Sequence, residues 1–321
     1  MGGLADAALL AAVAVGSARS AHALLRASWP RRSPAAAILL WQALGLAGGL
    51  AAVGALLAIG VDDPDAHSPA AHGVLGMPGV LGGLARLASG QLLGAHQPPL
   101  IAIVRLVTLA AGLILLSVLW WMLVIAFADA LGARHRQREL LALLAHGDPK
   151  APGALVIDYP AAAAYCLPGI RSQIVVSAGT LDLLAPAELA AVLAHERAHL
   201  RARHDLVLIP FTSLRRTFPR SGVVTQAHRS VALLVEMMAD DRALRVRGLV
   251  ARELATALLR FGTAETRCAP AGALAVAEGE LTARVNRLLA PPPPLSRSVQ
   301  AGIVLAAALL AAAPVLLLVT P

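Results

Sequence analysis

Four stretches of this sequence stay apolar over the roughly 20 residues that a helix needs to cross the hydrocarbon core of a bilayer. They run approximately from Leu4 to Leu25, Ala35 to Gly60, Leu106 to Phe127 and Val299 to Thr320. One globule of ordinary size cannot bury that much apolar surface. The 321 residues are 58% hydrophobic and only 14% charged, with a mean hydropathy of +0.71. Aromatic residues make up 3%, so the apolar content is Ala, Leu and Val rather than the mixed core of a soluble domain. Lipid is the natural sink.

The first stretch is the least uniform, because Arg19 and His22 interrupt its inner end. Arg19 can snorkel to the interface from there. Ala21-His22-Ala23 imitates a signal-peptidase site, but the residues before the apolar core carry Asp6 and no Lys or Arg. Without a basic leader a span is expected. Trp29, Trp41, Trp120 and Trp121 are available as interface anchors or for packing within a bundle.

Orientation follows from the loops. Arg26, Arg31 and Arg32 lie between the first two stretches, and Arg134, Arg136 and Arg138 follow the third. Asp62, Asp63 and Asp65 follow the second. Arginine excess marks the cytoplasmic side, which places the Asp62 to Pro98 loop outside a plasma membrane and the long insert inside. The Gly-rich piece from Val74 to Gly94 reads as an interfacial or re-entrant segment, or as a loop on the bundle. The expected organisation is a three-span membrane region at 1–130, a cytoplasmic domain at 131–298 and a fourth span at 299–321. The formal net charge is +8 and the pI about 11. Because the arginines cluster beside the spans, the expected partner of that charge is lipid, and no direct nucleic-acid binding is expected. The two cysteines, Cys166 and Cys268, have no CxxC spacing, which supports neither a disulfide framework nor a cysteine zinc knuckle.

The insert has a different texture. Ala154 to Asp158 reads as a short strand, Tyr165 to Gly169 as a turn, and Arg171 to Ser177 as a second strand rich in β-branched residues. Pro186 suits the first turn of a helix, and Glu188 is favourable near its start. Apolar spacing carries that helix to about Arg203. A second long helix is expected over roughly Val223 to Arg247, with shorter ones at Ala251 to Phe261 and Leu281 to Leu289, before Pro291 to Pro294 ends the domain.

The first of these helices carries His195-Glu196-Arg197-Ala198-His199, an HExxH motif. Residues four apart share a helix face, so both imidazoles can approach one ion. Glu196 lies on the adjacent flank, within reach of a water beside that ion. Zinc lowers the pKa of bound water to about 7, and a nearby carboxylate can take its proton as the water attacks a carbonyl. Leu189, Val192, Leu193 and Leu200 make the helix amphipathic, as an active-site helix on a core must be.

A catalytic zinc needs a third protein ligand and an open position. Glu236, set in the apolar run Leu233-Leu-Val-Glu-Met-Met-Ala-Asp-Asp241, is the strongest candidate. An unpaired carboxylate there would be expensive, and a metal ion removes the difficulty; the alternative is an ion pair with a neighbouring arginine. Asp240, one turn later on the same face, can orient a ligand imidazole. Asp205 sits where a metzincin places its third ligand, but that motif needs a glycine where this chain has Ala202. His204 is a further, weaker candidate. The segment around Gln173, Ile174 and Val175 is either an edge strand that pairs with extended substrate or a core strand of a small sheet. For the oxyanion, only His228 and His204 offer themselves.

Four segments together resemble the BlaR/MecR-type integral-membrane metallopeptidases: Tyr165 to Gly169, Ile174 to Thr180, Ala191 to Leu200 and Glu236 to Asp240. The chain is similar also to the HtpX-like and CaaX-protease gluzincins, which share HExxH followed by ExxxD. The resemblance implies one Zn2+ per chain held by His195, His199 and Glu236, Glu196 as general base and Asp240 behind the ligands. It implies protein or peptide substrates, with a transcriptional repressor as one candidate. The antibiotic receptors of this type carry an external penicillin-binding sensor after the last span, and none follows here, so direct β-lactam sensing is not expected. The expected fold is mainly α: a polytopic membrane protein with four transmembrane helices and a cytoplasmic zincin-like α+β protease domain carrying a small sheet. A quality-control protease of the HtpX kind and a non-catalytic membrane scaffold or receptor are the alternatives. The intact His195, Glu196, His199 and Glu236 weigh against the scaffold.

Overall fold

A computed structural model of the chain describes residues 3–61, 98–169, 172–265 and 271–319. The Val74 to Gly94 piece and Cys268 lie outside the described residues. Among the described residues, four helices are long and apolar enough to cross a membrane: Gly3–Arg26, Pro34–Val61, Pro99–Leu144 and Arg297–Val319. The second is the hub, packing against each of the other three. Small residues permit the closest approaches. A Cβ on Gly60 would stand 2.7 Å from Cβ of Leu109, so the second and third helices can cross there only without a side chain. Trp41 is buried in the bundle, whereas Trp120 and Trp121 project outward.

The third helix is longer than its apolar stretch. It continues through Arg134, Arg136 and Arg138 to Leu144, extending about 25 Å beyond Phe127 at the rise of an α-helix. Nothing in 128–144 breaks a helix, and tertiary contacts hold the extension. Arg138 Nη2 donates to the carbonyl of Pro168 at 2.8 Å, and Leu141 packs with Leu167 and Val175.

The small sheet has the order β1-β2-β4-β3, where β1 is Ala145–Gly147, β2 Leu155–Ile157, β3 Ala164–Leu167 and β4 Gln173–Ser177. The β2 and β4 strands are parallel; the β1–β2 and β3–β4 pairs are antiparallel. One expectation is corrected here, and one pair of alternatives is decided. Tyr165 to Leu167 is a strand, because Tyr165 pairs with Val175 and Cys166 with Ile174, and the turn begins only at Pro168. The strand holding Gln173, Ile174 and Val175 is an inner one, with β2 on one side and β3 on the other; Ile174 and Val175 are core.

The sheet and helix Pro186–Ala202 share one core, formed by Val156, Ile174 and Val176 with Leu189, Val192 and Leu193. Pro186 opens that helix, and the Glu188 carboxylate accepts from the backbone N–H of Ala185 at 2.9 Å. Helix Gly222–Ala243 packs against the candidate membrane-spanning helices: Val231, Leu234, Val235 and Met237 form one cluster with Leu24, Ala37, Trp41 and Leu44. The two helices that carry the polar motifs are thus fixed from opposite sides, one by the sheet and one by the spans.

Candidate metal centre

His195 and His199 stand one turn apart on helix Pro186–Ala202, with their Nε2 atoms 3.0 Å apart. Glu236, on helix Gly222–Ala243, brings Oε2 to 3.3 Å from His195 Nε2 and Oε1 to 3.5 Å from His199 Nε2. Ligand atoms on a tetrahedral zinc ion with bonds near 2.0–2.2 Å lie roughly 3.3–3.6 Å from one another. The observed triangle is close to one face of that tetrahedron. Of the described residues, these three form the cluster able to hold a metal ion. Glu236 keeps 37% of its side chain exposed, so it opens into the cleft instead of being sealed in the helix packing as its apolar flanks suggest.

Behind the triangle lies a second layer. Asp240, 1% exposed, places Oδ1 3.0 Å from Nδ1 of His195. Arg284, from helix Ala271–Leu289, donates to Asp240 through Nε at 3.0 Å and Nη2 at 2.8 Å, and its Nη1 is 3.0 Å from Glu236 Oε2. Glu236 therefore has both partners weighed for it, the histidine pair and an arginine. Burial alone would lower the pKa of His195, but Asp240 and Glu236 raise it to about 9. Burial would raise Glu236 and Asp240; the histidines and Arg284 hold both below the usual carboxylate range.

His204 lies behind the other ligand, its Nδ1 3.0 Å from Nδ1 of His199. Burial, His199 and Arg242 lower its pKa to about 4, so it is neutral. A neutral imidazole offers one acceptor nitrogen. The Nε2 of His204 faces Arg242 Nη1 at 3.4 Å, and because a guanidinium only donates, that nitrogen is the acceptor. The chain reaches this arrangement by turning sharply at Arg203, the helix C-cap, whose φ of 51° is left-handed without a glycine.

Glu196 is largely enclosed. Burial raises its pKa while His195 and His199 draw it back, which suits a base working near neutral pH. Cys166 of β3 interacts with the Glu196 carboxylate, and burial with that negative charge pushes the thiol up to about 12. In the metal-free chain the thiol stays protonated at neutral pH. Cys166 also lines a cavity of about 190 Å³ together with Pro168, His199, Asp205 and Glu236. The outer strand β3 therefore borders the cleft, while Gln173, Ile174 and Val175 lie one strand further in.

Asp205 does not join the metal cluster: Oδ2 is 2.6 Å from Nη2 of Arg134, and Oδ1 has no hydrogen-bond partner. His228 pairs with Thr212 at 3.3 Å and does not line the cleft. Arg284 and Cys166 were not marked by the sequence. Arg284 lies 48 residues beyond Glu236 (284 − 236) in a run with no recognisable spacing to the motif, and only the fold brings it near.

Residues 130–289 match the model of Peptidase family M48. The matched segment contains the histidine pair, Glu196, Glu236, Asp240 and Arg284. It supports a metallopeptidase of that zinc-dependent family, hence a hydrolase acting on protein or peptide. No curated protein and no solved structure gave a match to the chain.

Proposed function

We propose that the chain is a membrane-embedded zinc endopeptidase whose HExxH domain works at the cytoplasmic face of the plasma membrane. The observation that carries this reading is the convergence of His195, His199 and Glu236 at 3.0–3.5 Å from two neighbouring helices. One Zn2+ per chain would be held by these three side chains; when bound, it acidifies a water and polarises the scissile carbonyl. Glu196 takes the proton of the attacking water and passes it to the leaving amine. Asp240 holds His195 and is itself held by Arg284; His204 holds His199. Substrate in extended form would pair with β3, the outer strand beside Glu196, while Gln173, Ile174 and Val175 support that strand from behind.

The substrate we favour is a cytoplasmic protein such as a transcriptional repressor, cleaved in response to a signal. Comparative proteomics of cells carrying the wild type or Glu196→Gln tests this directly. A single regulatory protein accumulating uncut in the variant is the expected outcome. Broad accumulation of membrane proteins would instead assign a quality-control role, and identical proteomes would argue against proteolysis altogether.

A further inference from the structure

A second cavity, of about 570 Å³, is lined by Ala194, Arg197, Ala198 and Arg201 together with Arg242, Arg245 and Val246. The first four follow i, i+3, i+4, i+7 spacing and form one face of helix Pro186–Ala202, roughly a third of a turn round from His195 and His199. Four arginines thus line the cavity, with no carboxylate among its lining residues. Arg134, Arg216, Arg260, Arg284 and Arg287 each pair with an Asp or Glu. Among the described residues, the four cavity arginines make no such pair. Arg197 donates to the carbonyl of Pro152 at 3.1 Å and Arg242 touches His204; neither contact neutralises a charge.

We propose that this cavity is a binding site for an anion carrying at least two phosphate groups. Converging cations beside the low-dielectric surface of Ala194, Ala198 and Val246 focus a positive potential into the cavity. The planar guanidinium fork matches phosphate oxygens two at a time. A cavity of this size exceeds what one inorganic phosphate fills and falls in the range of small organic ligands. Linked phosphates concentrate several negative charges in one such volume, a density that carboxylates along a peptide do not reach. Arg242 places the site one side chain, His204, away from the metal ligand His199.

The test uses the full-length protein in phosphatidylcholine nanodiscs, titrated with pyrophosphate at fixed ionic strength and followed by calorimetry. Saturable binding is expected, and Arg201→Gln with Arg245→Gln should weaken it about tenfold or more. Arg215→Gln with Arg220→Gln removes the same charge from other exposed positions and should leave binding unchanged. Both double variants keep the metal centre, so any interaction of pyrophosphate with the metal is the same in each. Equal loss in the two variants, or no saturable binding to the wild type, would overturn the proposal. Repeating the titration in nanodiscs containing cardiolipin separates the sources. Competition identifies a lipid headgroup as the phosphate donor, and an unchanged isotherm identifies a soluble ligand.

Discussion

Arg284 holds Asp240 by two hydrogen bonds of 3.0 and 2.8 Å, and Asp240 in turn stands 3.0 Å behind His195. With its arginine removed, the Asp240 carboxylate, 1% exposed, loses two charge-assisted hydrogen bonds and keeps His195 as a partner, a loss of up to about 3–5 kcal/mol. Arg284→Ala should therefore lower the thermal midpoint and reduce zinc affinity roughly 10–100-fold, as loss of a group behind a ligand does. Arg284→Lys keeps the charge without the fork and should fall between. Chelator competition measures the affinity; wild-type values in Arg284→Ala would remove this residue from the centre.

Glu196→Gln should keep its metal and lose at least about 100-fold in peptide-cleavage rate, because the amide cannot accept the proton. Metal content by mass spectrometry and cleavage of a quenched peptide check the two halves separately. Persistent cleavage would mean that another group is the base.

Glu236→Ala should weaken zinc binding far more than Asp205→Ala. Glu236 lies within 3.5 Å of both ligand nitrogens, while Asp205 is occupied by Arg134 at 2.6 Å. Zinc released per chain during chelator titration ranks them, and the reverse order would reassign the third ligand.

The metal-free protein should respond to pH in a direction set by His195. Its pKa is raised from 6.5 to about 9, so the stabilisation it provides is complete below 6.5 and fades as pH rises through about 9. Zinc must displace that proton. Apparent affinity should climb about tenfold per pH unit towards 9 from this group and then level off. Competition titrations between about pH 6 and 9 test the slope, and a flat profile would show that His195 is neutral in the metal-free state.

Much of the candidate site can be read from spacing alone. His195 and His199 are four residues apart, Glu236 and Asp240 likewise, and one turn of helix makes each pair co-facial. The four apolar stretches can be read in the same way, because bilayer thickness sets a length that any sequence either meets or misses. Spacing carries no information across long gaps, and there the reading failed. The strand at Tyr165 is masked by Pro168 and Gly169, whose turn begins three residues later than composition suggests. The order of strands, which puts β3 and not β4 at the border of the cleft, depends on pairing between segments that do not announce their partners.

Local periodicity alone is enough for the four membrane-length apolar stretches, the two motif-bearing helices and the pairs of side chains one turn apart. What meets across elements depends on the folded arrangement: Glu236 with the two imidazoles, Arg284 with Asp240, Cys166 with Glu196, and four arginines around one cavity. The physical reason is that a charge declares its partner only once packing has fixed the distance between them. Here that distance is set by the sheet core on one side and the long apolar helices on the other.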